Sequence, residues 1–284
     1  MAAEVAGEGP AVLLLHGIPG SGAVWDEVRR RLSPTHRVIV PDLIGFGESA
    51  RTEDIHDLWA DAQAAAVSAL LDDLQERAVV VVGHDFGGPV AAHLMARDHR
   101  RITGLVLAAT NAFGDTPIAF PLSGILWPLV GGVWARALFS APSLRMMVRQ
   151  GVGTPSPKLD LSRYVGDGAQ AKAIRLIFSA ALRELKTRYE PVTALFRNTR
   201  VPTRVVWGDR DPFFPIAQAR RTAALIGDAR VVTLPGAGHF LPEERPAELA
   251  DTIAALRLSI EQSSGVSQVP DASHESARAA AGDL

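Results

Sequence analysis

The chain has 284 residues, 47% of them hydrophobic and 21% charged, with a formal net charge of −2. That balance supplies a full globular core and leaves no basic stripe, which excludes a nucleic-acid footprint. There is no cysteine, which excludes disulfides and thiolate chemistry.

In chain order, short β-branched and aliphatic runs alternate with longer helical patterns. The strands are expected at Ala11–Leu15, Arg37–Pro41, Ala78–Gly83, Ile102–Ala108, Thr203–Trp207 and Arg230–Leu234. Most are near-continuous apolar runs, as strands buried on both faces of a parallel sheet require. Helices are expected at Ala23–Leu32, Leu58–Leu74, Pro89–Arg97, Ile216–Ile226 and Pro246–Gln262. This alternation predicts an α/β class fold, a doubly wound and mostly parallel sheet. The rhythm breaks between residues 111 and 199, which offer no parallel-sheet strand but carry helical patterns at Ala169–Leu185 and Val192–Phe196. The expected organisation is a core of residues 1–110 and 200–262, an inserted helical cap at 111–199, and a disordered tail at 263–284. The tail is rich in Ser, Ala, Gly and acidic residues and has no apolar face.

The N-terminus lacks a signal-peptide layout, since Glu4 and Glu8 precede the first apolar run and the first basic residue is Arg29. A cytoplasmic location is the expectation. Thr116 to Ala135 is uncharged over 20 residues, long enough to span a bilayer, but Pro117, Pro121 and Pro128 interrupt it. Backbone groups freed by such breakers are costly in lipid, so the segment is read as pocket lining and not as a membrane span.

Three acid–base residues follow expected strands: Asp85 in VVVVGHDFGG, Asp211 in WGDRDPFFP and His239 in LPGAGHFLPEERP. The glycine spacing around Asp85 is that of a strand-to-helix turn that projects one side chain above a sheet, where a serine nucleophile is the common occupant. The order nucleophile, acid, histidine is that of the α/β-hydrolase fold. A fourth element, HGIPGSG at His16–Gly22, follows the first expected strand. The N–H groups of Ile18 and Phe86 are the candidate oxyanion hole. Asp209 competes with Asp211 and reads as a turn residue; Asp42, His16 and His84 read as loop-holding groups.

Together with PDLIGFGES (Pro41–Ser49), these motifs resemble the epoxide hydrolase and haloalkane dehalogenase branch of the α/β-hydrolase fold. The resemblance runs from residue 11 to about 260. It implies Asp85 as nucleophile, His239 as the base that activates water, Asp211 as its orienting acid, and no cofactor or metal. Relatives carry two more strands before the first motif, whereas ten residues precede Ala11 here; the sheet is shortened or the start lies upstream. A further departure is Phe86, where both branches commonly carry Trp and fluoroacetate dehalogenases carry Arg. Ile18 stands where many dehalogenases carry Asn.

A carboxylate suits displacement at a saturated carbon, because the resulting alkyl ester is a tractable intermediate. An epoxide oxygen needs a proton donor, supplied in relatives by cap tyrosines. The chain has two tyrosines, Tyr164 and Tyr189, both in the expected cap, with Tyr164 the better candidate. A halide needs N–H donors, for which Trp127 and Trp134 are candidates. Trp127, Trp134, Phe113 and Phe213 are the candidate pocket walls, and imply a small lipophilic substrate that reacts with water. The expected function is epoxide opening to a vicinal diol. The alternatives are haloalkane dehalogenation with the same triad and a non-hydrolytic ligand-binding role, in a monomer or homodimer.

Overall fold

The computed structural model describes residues 1–118, 120–154, 159–227 and 229–265. Seven strands form one sheet: β1 (Ala3–Ala6), β2 (Ala11–Leu15), β3 (Arg37–Pro41), β4 (Val79–His84), β5 (Ile102–Ala108), β6 (Thr203–Gly208) and β7 (Ala229–Leu234). Their spatial order is β1-β3-β2-β4-β5-β6-β7. All neighbours pair in parallel except β1, which runs antiparallel to β3 with Glu4 opposite Val40. The chain reverses direction across the sheet at β2, the switch point beside which open α/β sheets bind ligands.

Both faces of the sheet are covered. Leu13, Leu15, Val79, Val81, Leu105 and Leu107 enter one apolar cluster. Their alternating neighbours Val12, Leu14, Val80, Val82, Val106 and Ala108 enter the other. This two-sided burial is the physical reason for the continuous apolar runs in the sequence. β1 was not anticipated within the ten residues before Ala11. Its AEVA sequence is short and mostly exposed, so no apolar run betrays it; it pairs with β3 through the backbone, and Glu4 adds an ion pair to Arg29 of the first helix.

The helices of the core are α1 (Asp26–Leu32), α2 (Ile55–Leu58), α3 (Ala60–Asp73) and α4 (Gly87–Arg97). The expected single helix at Leu58–Leu74 is replaced by α2 and α3, separated at Trp59, whose ψ of 162° is extended. Helix α4 starts two residues before the expected Pro89. Proline is tolerated there because the first-turn N–H groups have no intrahelical partner.

Between β5 and β6 lie α5 (Gly131–Leu138), α6 (Ala141–Gly151), α7 (Gly168–Arg183) and α8 (Leu185–Arg197). Helices α5 and α6 were not anticipated, because glycines and prolines punctuate this part of the sequence, among them Gly131, Gly132 and Pro142. Here they sit in the first turns, where they do little harm. The core then resumes with α9 (Ile216–Leu225), α10 (Leu241–Glu244) and α11 (Pro246–Gly265). Helix α11 thus covers the first residues of the expected tail, and residues 266–284 lie outside the described residues.

The turn from β4 to α4 is set by contact. A Cβ on Gly87 would lie 2.4 Å from the Leu15 carbonyl oxygen of β2. The partner is backbone in a central strand and cannot yield. We therefore expect Gly87→Ala to lower unfolding free energy by about 2–3 kcal/mol, measured by urea denaturation. An unchanged midpoint would contradict this packing.

Candidate active site

Five side chains or loops converge at the C-terminal edge of the sheet: Ile18 after β2, Asp85 after β4, Asn111 after β5, Asp211 after β6 and His239 after β7. Asp85 occupies the crest of the β4–α4 turn with φ of 49°, a left-handed conformation that side-chain-bearing residues seldom adopt. It is fixed from both sides. Its N–H donates to the Ala108 carbonyl at 3.1 Å, and its own carbonyl accepts from Thr110 Oγ1 at 2.6 Å. The loop carrying Ile18 approaches so closely that a Cβ on Gly17 would fall 2.4 Å from the Asp85 Cβ. Only glycine permits that approach.

The Ile18 N–H donates to Asp85 Oδ1 at 2.8 Å. Among the described residues, no hydrogen bond joins the Phe86 N–H to the carboxylate; Phe86 contributes its ring to the cavity wall. Asp85 Oδ2 lies 3.6 Å from His239 Nε2. His239 Nδ1–H donates to Asp211 Oδ2 at 2.9 Å. The other Asp211 oxygen accepts from the N–H groups of Phe213 at 2.8 Å and Phe214 at 2.9 Å. Asp211 is thereby locked behind the imidazole. Asp209 instead accepts from the Gly236 N–H at 2.7 Å, across the neighbouring loop.

Electrostatics follow from burial. Removal from water favours neutral His239, but the charge and hydrogen bond of Asp211 and the nearby charge of Asp85 outweigh it and push its pKa up to about 10. Burial pushes the Asp85 carboxyl up, but the nearby positive charge of His239, with the Ile18 N–H, holds it below the usual carboxylate range. His239 stands between Asp85 and Asp211, and their charges favour its imidazolium form. His84 behaves oppositely: burial, then the charge of His239, lower it to about 4. Neutral His84 donates from Nε2 to the His239 carbonyl at 2.9 Å. Burial also lowers His16, and its two ring nitrogens bridge loops, bonding the Gly17 carbonyl at 2.9 Å and accepting from the Leu43 N–H at 3.0 Å. Asp42 accepts from the N–H groups of Gly22 and Glu48, both at 2.7 Å. Among the described residues, no group of three or more His, Asp or Glu is placed to hold a metal ion.

A cavity of about 70 Å³ opens on Asp85, walled by Ile18, Phe86, Ile177, Phe178, Ala181 and Phe214, with Asn111 and Tyr189 as its further polar groups. Tyr189 is buried, and burial, then the Asp85 charge, raise its phenol while Asn111 lowers it, leaving the proton held firmly. Tyr164 is elsewhere. Its hydroxyl donates to Glu243 and its ring packs edge-on against Phe240, so it does not line the cavity.

The tryptophans are likewise displaced from the expected pocket. Trp127 and Trp134 lie with Phe120 in an aromatic group on the outer surface, and Trp134 Nε1 donates to the Pro121 carbonyl. Phe113 is buried under the Arg221 guanidinium, 3.8 Å from the ring centroid. Phe213 packs edge-on against His239, while the next residue, Phe214, reaches the cavity. Sequence reading missed Asn111 and the α7 wall of Ile177, Phe178 and Ala181, whereas the Phe213–Phe214 pair after Asp211 was expected at the wall and Phe214 is the one that reaches it. Asn111 carried one usable signal, its place just after a strand, like Asp85 and Asp211.

Residues 10–246 match the alpha/beta hydrolase fold family, and the chain belongs to it. It is 28% identical over 262 residues to a cis-3-alkyl-4-alkyloxetan-2-one decarboxylase of Shewanella oneidensis, covering 86% of this chain and 80% of that one. Among solved structures, a reconstructed ancestral haloalkane dehalogenase superimposes with a TM-score of 0.77 at 23% identity, covering 92% of this chain and 96% of the other. An epoxide hydrolase superimposes with a TM-score of 0.72 at 22% identity, covering 91% and 94%.

The electrostatic arrangement has a direct test. Followed by NMR, the His239 imidazole should titrate near pH 10. In Asp85→Asn, with one carboxylate removed, its pKa should fall. An identical titration in both proteins would mean that Asp85 does not charge the histidine.

Proposed function

We propose that this α/β hydrolase opens an epoxide to a vicinal diol through a covalent ester on Asp85. The observation that carries the reading is the cavity itself, which holds a nucleophilic carboxylate and a firmly protonated phenol, Tyr189, within apolar walls. Opening an epoxide needs both at once, a nucleophile at carbon and a proton for the departing oxygen. Of the two candidate tyrosines, Tyr189 takes the donor role.

In the first step, Asp85 Oδ2 attacks a ring carbon, the carbon–oxygen bond breaks, and Tyr189 delivers its proton to the alkoxide. Oδ1 stays in its bond from the Ile18 N–H and becomes the carbonyl oxygen of the ester. Esterification removes one of the two negative charges that keep His239 protonated, so the imidazolium gives up its proton, which returns through solvent to the Tyr189 phenolate, and the neutral imidazole becomes a base. His239 then takes a proton from water as the water attacks the Asp85 carboxyl carbon. The developing oxyanion on Oδ1 faces the Ile18 N–H. The tetrahedral adduct collapses, the ester carbon–oxygen bond breaks, the departing alkoxide takes the proton of the new carboxylic acid, and the diol leaves with Asp85 restored as a carboxylate and His239 as an imidazolium. Asp211 holds the imidazole in place and stabilises its charged form.

The second reading, dehalogenation with the same triad, is favoured by one stretch of 102 residues that is 40% identical to a haloalkane dehalogenase of Mesorhizobium japonicum. Against it, neither Trp127 nor Trp134 lines the cavity to hold a halide. The oxetanone named for the Shewanella relative is also a strained oxygen ring, and belongs among the substrates tried.

We expect Tyr189→Phe to lower epoxide turnover by about 10²-fold or more. Tyr164→Phe should leave turnover per folded molecule unchanged. In His239→Ala, a small aryl epoxide should leave an adduct of the whole epoxide mass on the peptide containing Asp85. An adduct from a bromoalkane alone would select dehalogenation. No adduct from either would favour a non-hydrolytic binder.

A further inference from the structure

The uncharged segment expected to line the pocket faces outward instead. Phe120, Leu126, Trp127, Leu129, Val130 and Val133 are all exposed, Phe120 by 65% and Trp127 by 48%. The Phe120 ring centroid lies 6.4 Å from that of Trp127 and 5.6 Å from that of Trp134, so the aromatics form one continuous surface. Leu129 is fully exposed and holds a left-handed φ of 67°. A leucine seldom adopts that backbone region; the turn is closed across it by the Val130 N–H donating to the Pro128 carbonyl at 2.7 Å, and the side chain projects into solvent. Single exposed apolar residues are ordinary on a protein surface, but a contiguous cluster is an interaction surface.

The charge around this cluster is one-sided. From Thr116 to Leu159 the chain contains no Asp or Glu, although its net charge is −2. Arg136, Arg145 and Arg149 lie in this segment, are exposed, and have no ion pair or hydrogen bond to a described residue. Arg136 stands three residues from Val133 on α5, which places both on one helical face. Arg145 and Arg149 stand four apart on α6, beside exposed Met146, and α6 packs against α5.

We infer that this outer face of α5, α6 and the preceding loop docks on an anionic lipid bilayer. The apolar tip at Leu129, with Trp127 and Phe120, enters the headgroup and acyl boundary, where aromatic rings are favoured. The arginines remain at the headgroups and meet their negative charge. A second copy of the chain fits less well, because a two-fold contact would bring like charges together with no acid in the segment to pair them. No described helix is long and apolar enough to cross a membrane, so the surface lies on the bilayer and does not span it. The inference is independent of the reaction at Asp85.

The test is co-sedimentation of the full chain with phosphatidylcholine vesicles, with and without phosphatidylglycerol. We expect binding to the anionic vesicles that is about tenfold tighter than to phosphatidylcholine alone and that weakens with added salt. Leu129→Ser and the double variant Arg145→Glu/Arg149→Glu should each weaken it about tenfold. Their folding is checked by thermal unfolding, and the substituted side chains are exposed. Failure of the wild-type chain to bind anionic vesicles would overturn the inference, as would equal binding by the variants. A wild-type dimer dispersed by Leu129→Ser, with no vesicle binding, would assign the surface to self-association instead.

Discussion

The structure is organised around keeping one buried carboxylate ionised. Taking Asp85 out of water favours its neutral form, which is no nucleophile. The fold answers with one N–H from the loop after β2 and one imidazolium from the loop after β7. Each answer makes its own demand. The Ile18 N–H reaches Oδ1 only because Gly17 brings the loop against the Asp85 side chain. The imidazolium persists only because Asp211 stands behind it, itself bound by two backbone N–H groups. The positive charge on His239 is thus a consequence of Asp85 as much as a support for it. Any event that neutralises Asp85 changes the histidine from an acid toward a base.

The helices between β5 and β6 are tied to this centre by backbone contacts. The Gly151 carbonyl at the end of α6 accepts the His239 N–H at 2.8 Å. Buried Glu244 accepts from the N–H groups of Gly153, Gly238 and Phe240, joining the end of α6 to the histidine loop. Gln170 of α7 donates to the Pro19 carbonyl, beside Ile18. The same segment therefore positions the loops of the candidate site on its inner side and presents an apolar, cationic surface on its outer side.

The parallel core was legible because burial on both faces forces continuous apolar strands, and five of the site's loops follow them. Asp85, Asp211 and His239 were legible for the same reason: their motifs sit at strand ends. Strand β1 was not, since four residues, three of them exposed, that pair through the backbone leave no side-chain pattern. The tyrosines show a different limit. Tyr164 and Tyr189 both fall between β5 and β6, but sequence gives no direction for a side chain; one reaches Glu243 and the other reaches the cavity. Trp127 fails for a related reason, because hydrophobicity predicts burial and this ring is exposed, while Trp134 beside it is half-buried against the core but away from the cavity. Asn111 was hidden by its neutral side chain and by a segment without helical or strand periodicity.

The central claim is that Asp85 itself attacks carbon, and isotope placement tests it most directly. A single turnover of an epoxide by excess enzyme in ¹⁸O-labelled water should yield a diol free of label, because its new oxygen comes from Asp85. The label should appear in the Asp85 carboxylate of the recovered protein. A diol that carries ¹⁸O after that first turnover, with an unlabelled Asp85 peptide, would mean that water attacks the substrate directly and would contradict the account.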